Sequence, residues 1–95
     1  MSKKIFIVFG HYNTKDSFNA SIRDTFIEEA KKYNHEIDLI NLHDEKPLNF
    51  FNGLPPSDQI LDYRKRLENS DVMFLISPCY NLRATAILEN WIDLV

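Results

Sequence analysis

Two stretches of the chain are apolar at every position. Ile5-Phe6-Ile7-Val8-Phe9 ends at Gly10, and Val72-Met73-Phe74-Leu75-Ile76 ends at Ser77-Pro78. Runs of β-branched and aromatic residues of this length suit strands buried on both faces, as in a parallel sheet. Glu36-Ile37-Asp38-Leu39-Ile40-Asn41-Leu42 alternates loosely and reads as the remaining strand. Between them the period changes to that of a helix. From Phe18, apolar residues recur at Ile22, Phe26, Ala30 and Tyr33, with Ile27 beside them and Glu28, Glu29, Lys31 and Lys32 opposite. Asp16 or Ser17 can cap that helix, and Asn34 stands where a left-handed residue ends one. Ser57 can cap a second helix running to about Asn69, with Ile60, Leu61, Tyr63 and Leu67 inward. Ala84 to Val95 forms a third.

The predicted order is βαβαβα. Alternating buried strands and amphipathic helices imply an α/β layered fold with a parallel sheet and right-handed crossovers. His43 to Pro56 carries three prolines and Gly53 and is a long connection, the kind of loop that is often functional or unstructured. Residues 1–95 read as a single domain. A chain of 95 residues buries roughly 60–65% of its unfolded surface, enough for a core with little margin. With net charge −3 and no basic block longer than Lys3-Lys4 or Arg64-Lys65-Arg66, nucleic acid is not expected as a partner. The single cysteine, Cys79, excludes an internal disulfide. The opening apolar run is too short for a secretion signal, and no stretch nears the roughly 20 apolar residues of a membrane span. A cytoplasmic location is expected.

In parallel sheets ligands bind beyond the C-terminal ends of the strands, which singles out two loops. Gly10-His11-Tyr12-Asn13-Thr14-Lys15-Asp16-Ser17-Phe18-Asn19 offers backbone N–H groups at a helix N-terminus, the hydroxyls of Thr14 and Ser17, the Asn19 amide and the His11 imidazole. Such donors suit a phosphate, although the glycines and lysine of a P-loop or a dinucleotide fingerprint are missing; a plain capped turn is the alternative. Pro78-Cys79-Tyr80-Asn81-Leu82 could meet the polar edge of a planar ring with backbone amides while Tyr80 and Leu82 pack on it, or could be a simple strand-to-helix turn. Cys79, near a helix N-terminus, is either a nucleophile with a lowered pKa or a structural thiol.

Taken together, strand–G-H-x-N…S-F-N-A, a helix ending near N-H-E-I-D, and strand–P-x-Y-N-x…A-I-L-x-N-W-x-D resemble the flavodoxin-like NAD(P)H:quinone oxidoreductases, a family that includes the FMN-dependent azoreductases. The resemblance runs from Lys4 to Val95. It implies a three-layer α/β/α fold with strand order 2-1-3. It also implies a flavin, FMN or FAD, that takes a hydride from NAD(P)H and reduces a quinone, azo or nitro acceptor. By resemblance, His11, Ser17, Phe18 and Asn19 match the flavin-phosphate loop, and Pro78, Cys79, Tyr80, Asn81 and Leu82 the loop beside the flavin ring. No residue stands out as proton donor. Arg83, Thr85 and Glu89 depart from the family's usual glycine, proline and lysine. Family members are about twice as long, so the chain is expected to be the N-terminal half of such a reductase, or a natural half. The third strand then becomes an apolar edge without lysine or proline to protect it, so a homodimer or a strand-pairing partner is expected. A shortened module that has lost the flavin and serves binding or assembly is the competing expectation.

Overall fold

A computed structural model describes residues 2–48, 56–79 and 83–95. In chain order the elements are β1 (Lys4–Phe9), α1 (Phe18–Lys32), β2 (Glu36–Asn41), a 3-10 turn (Leu42–Asp44), α2 (Asp58–Glu68), β3 (Val72–Ile76) and α3 (Ala86–Leu94). The sheet has the expected order β2-β1-β3, with β1 parallel to both neighbours.

The central strand explains the layering. Successive side chains of a strand point to opposite faces, and β1 is buried on both. Ile5, Ile7 and Phe9 join Ala20 and Ala30 of α1, Ile76 of β3 and the partly buried Phe26, Ile27 and Phe74. Phe6 and Val8 join Ile40, Leu42, Tyr63 of α2, and Leu88 and Trp91 of α3. Phe26 stacks on Phe74 with centroids 4.4 Å apart, while Trp91 meets Phe6 edge-on at 5.9 Å. Helix α1 therefore covers one face, and α2 and α3 cover the other.

The helix signals act as the sequence implies. Ser17 caps α1 by accepting from the Ala20 N–H at 3.0 Å, and Ser57 caps α2 by accepting from that of Ile60. Asn34 ends the first helical unit at φ 62°. Three expectations need correction. Of the expected inward row of α1, Phe26 and Ala30 hold, with Ile27 beside them, but Phe18 (79%), Ile22 (40%) and Tyr33 (70%) are exposed, while Ala20 and Arg23 are also buried. The helix is rotated so that Ala20 and Ala30 meet the sheet along with Phe26 and Ile27. Leu61 is likewise exposed, because Ile60 and Tyr63 take the buried face of α2. Helix α3 begins at Ala86 rather than Ala84, with Thr85 as its N-cap.

An ion pair and hydrogen bonds tie the elements at their margins. Arg66 of α2 lies over the Phe6 ring and reaches Asp38 of β2 with two nitrogens, at 3.0 and 2.6 Å. Arg64 donates to the carbonyls of Leu94 and Val95 and so joins α2 to α3. At the opposite end of the sheet from the two loops, the Lys4 N–H donates to the Asp71 carboxylate, and the Asp71 N–H returns to the Lys4 carbonyl. Strand β3 is less covered. Val72, Met73 and Leu75 are exposed by 42, 46 and 38%, and among the described residues only β1 pairs with this strand.

Candidate functional site

Both candidate loops leave the sheet at one end, because β1 and β3 are parallel neighbours with Phe9 opposite Ile76. Gly10 fixes their separation. Its N–H donates to the Ile76 carbonyl at 2.8 Å, and its carbonyl accepts the Thr85 hydroxyl at 2.8 Å, a contact spanning 75 residues. A Cβ at position 10 would lie 2.9 Å from Leu88 Cβ and 3.0 Å from Thr85 Oγ1. Glycine is needed here for close approach, not for an unusual backbone angle. The N-terminus of α3 is thus drawn onto the end of β1. Thr85, although it sits at the cap position, uses its hydroxyl for this cross-connection and makes no side-chain cap bond.

The loop from His11 to Ser17 is held by its own side chains. The Asn13 N–H donates to His11 Nδ1 at 2.9 Å, which leaves the proton of a neutral ring on Nε2. Asn13 Oδ1 accepts from the N–H groups of Lys15 and Asp16, an Asx turn. The Ser17 hydroxyl donates to the Asn13 carbonyl at 2.8 Å while capping α1. The His11 ring stacks on Tyr12 at 4.7 Å. With Ala20 served by Ser17, the N–H groups of Phe18 and Asn19 fall in the first turn, outside the helix ladder. That turn carries no acidic residue, whereas Asp58 and Glu89 occupy the first turns of α2 and α3. The positive end of the α1 dipole is left uncancelled by its own side chains, which suits an anion. Tyr12 (73%) and Phe18 (79%) are large and exposed beside it.

Of the residues singled out by resemblance, His11, Ser17, Phe18 and Asn19 lie together on this first loop. Pro78 and the exposed Cys79 follow β3 at the same end of the sheet. Tyr80, Asn81 and Leu82 lie outside the described residues. Arg83 approaches Glu89 of α3 at 3.8 Å, the arginine largely exposed and the glutamate about one-third so, so two of the departures from the family pattern face one another. Among the described residues no group of three or more His, Cys, Asp or Glu gathers as a metal site. No helix there is long and apolar enough to cross a membrane.

Sequence reasoning missed Arg23. Its guanidinium is buried under the first loop, where it donates to the Thr14 carbonyl at 2.7 Å, Asn41 Oδ1 at 2.9 Å and Asp24 Oδ1 at 2.9 Å. It also lies 4.6 Å from the centroid of the Phe9 ring. The available signal was the spacing Ala20-Arg23-Ile27-Ala30, a second helical row with a charged member.

A family profile described as flavodoxin-like fold matches residues 3–95. The chain belongs to this flavodoxin-like family. Over its full length it is 31% identical to the FMN-dependent NADH:quinone oxidoreductase of Clostridium perfringens and covers 54% of that protein. The chain spans about half the length of the curated relatives it matches. Its flavodoxin-like fold superposes on the NAD(P)H:quinone oxidoreductase from Methanothermobacter marburgensis with a TM-score of 0.86 at 20% identity, over 100% of this chain and 53% of that one. The FMN-dependent NADH-azoreductase from Bacillus anthracis, solved in complex with FMN, gives a TM-score of 0.79 at 17% identity, over 97% and 55%.

Proposed function

We propose that this chain carries the FMN-phosphate loop and the first ring-side loop of a flavin-dependent NAD(P)H oxidoreductase acting on quinone-, azo- or nitro-type acceptors. One observation carries the reading. The α1 N-terminus, with no acidic residue in its first turn and with the N–H groups of Phe18 and Asn19 unpartnered among the described residues, stands at the same sheet end as Pro78 and Cys79. A phosphate and a ring joined by a short linker need two such loops side by side. The full-length match to a relative named as FMN-dependent supports FMN over FAD.

In this reading the backbone at Ser17, Phe18 and Asn19 holds the phosphate, and the exposed Phe18 and Tyr12 shield it from water. His11 holds the loop from Nδ1 and can donate from Nε2. Pro78 to Leu82 borders the ring. When bound, FMN supplies the two-electron chemistry, with NAD(P)H as donor. The protein's part is to bind, orient and exclude water. The reading places the chain in the cytoplasm. The edge of β3, unpaired on one side among the described residues, and its exposed Met73 and Leu75 support a further strand or a second copy as partner.

A second reading is favoured by Arg83 and Glu89, which stand where the family usually has glycine and lysine and approach each other at 3.8 Å: a flavodoxin-like module that serves binding or assembly without flavin. Titration of the purified chain with FMN and FAD, followed by flavin fluorescence and absorbance, separates the two. Saturable FMN binding with a perturbed flavin spectrum is expected. Colourless protein that takes up neither flavin would refute the enzyme reading. Light scattering checks the partner: a stable monomer at all concentrations would remove the second copy.

A further inference from the structure

Arg23 is buried in a position that apolar packing does not explain. It is 7% exposed, and burying a cation without a matched anion is costly. Its single carboxylate partner among the described residues, Asp24, has a side chain that is 62% exposed; solvent screens that pairing. The other two partners, the Thr14 carbonyl and the Asn41 amide, are neutral. The guanidinium therefore keeps much of its positive field and lies directly beneath the His11–Ser17 loop. It also links that loop to the C-terminal end of β2 through Asn41, and to β1 through the Phe9 ring. Pinning the Thr14 carbonyl fixes the plane of the Thr14–Lys15 peptide, and the Lys15 N–H on its other side donates to Asn13 Oδ1.

From this geometry we infer that Arg23 is a positioning residue for the anion held by the first loop: it sets the loop from below and adds positive potential to the α1 N-terminus. The inference rests on the flavin reading above and extends it to a residue that touches no ligand. It accounts for a buried charge on the sheet-facing row of α1, where an aliphatic residue would pack at lower cost.

The test compares affinities for FMN and riboflavin, which share the ring and differ in the phosphate. The 95-residue chain is compared with its Arg23→Met and Asn41→Asp variants. The second variant is nearly isosteric and cancels the Arg23 charge with a carboxylate while strengthening the fold around it. Folding is checked by circular dichroism. Wild-type protein should prefer FMN. Both variants should lose about tenfold in FMN affinity, the scale of one charge-assisted interaction, with riboflavin affinity unchanged. A loss of both ligands together would mark Arg23 as merely structural and overturn the inference. So would a folded Asn41→Asp protein that keeps the wild-type preference. Should the wild type bind neither flavin, the flavin reading fails and carries this inference with it. Should it prefer FMN while the variants keep that preference, the inference alone fails.

Discussion

Gly10→Ala tests how the two loops are held together. The new Cβ would lie 2.9 Å from Leu88 Cβ and 3.0 Å from Thr85 Oγ1, where unstrained carbon contacts lie at about 3.5–4.0 Å. Leu88 Cβ is bonded to the helix backbone and cannot swing aside, so α3 must retreat as a body by about half an ångström or more. Overpacking of this kind costs about 1–3 kcal/mol. Replacing a glycine returns about 0.4–1 kcal/mol by restricting the unfolded chain. Taking the middle of each range, the net expectation is a loss of about 1.3 kcal/mol, or roughly 5–10 °C in Tm for a domain of this size.

Thr85→Val removes the hydroxyl that serves the Gly10 carbonyl and should cost about 1–2 kcal/mol, the usual penalty for stranding a buried acceptor. The two changes damage one contact, so the double variant should fall short of the sum by at least about 0.5 kcal/mol. Urea denaturation monitored by circular dichroism, at fixed protein concentration, measures all three. A Gly10→Ala protein within about 0.5 kcal/mol of wild type, the scale of a neutral surface change, would refute the close approach. Full additivity in the double variant would show that Gly10 and Thr85 do not act through a shared contact.

Two further predictions concern titrating groups. The hydrogen bonds from Arg66 hold the Asp38 carboxyl below its ordinary range. A carboxylate with a depressed folded-state pKa contributes stability that is present above its unfolded value and lost as pH falls through the folded one. Stability should therefore decline on the acid side of pH 4, and Asp38→Asn should flatten that limb while lowering neutral stability by about 1–2 kcal/mol; an unchanged acid limb would refute the pairing. Burial pushes the Tyr63 hydroxyl up to about 12, although the amide of Gln59 opposes it. Because the folded value lies above the unfolded one, the folded state holds this proton longer and stability drops as pH rises from 10 towards 12. Ultraviolet titration of Tyr63→Phe against wild type should remove a late-ionising tyrosine. Loss of an early one instead would refute the burial argument.

The strands and their order were legible because each rests on a local signal that agrees with the whole fold. β1 is apolar throughout and proves to be the central strand, where both faces need cover. Ser17, Ser57 and Asn34 act where their short-range chemistry places them. Rotation of α1 was not legible. Its long apolar residues formed the more obvious row, yet small Ala20 and Ala30 face the sheet. Which of two neighbouring rows turns inward depends on the space above β1, a tertiary quantity. Arg23 was hidden for the same reason: nothing local marks a helical arginine as buried until a carbonyl, an amide and an aromatic ring converge on it.

Arg83, Thr85 and Glu89 depart from the family pattern. In space they divide into two kinds. Thr85 replaces the usual proline with a hydroxyl, and that hydroxyl bonds the Gly10 carbonyl where proline has no donor to offer. This change tightens the junction of β1 with α3, on which the spacing of both loops depends. Arg83 and Glu89 change together and carry opposite charge. Their 3.8 Å approach, with Arg83 67% exposed, is too solvated to anchor the loop by more than a few tenths of a kcal/mol. An exposed, weakly held arginine at the end of the sheet where β1 and β3 finish is free to turn from Glu89 towards an incoming anion. Glu89→Gln should then leave stability nearly unchanged and tighten binding of an anionic ligand at this end of the sheet. The same substitution with no effect on FMN affinity would confine the Arg83–Glu89 pair to the surface of α3.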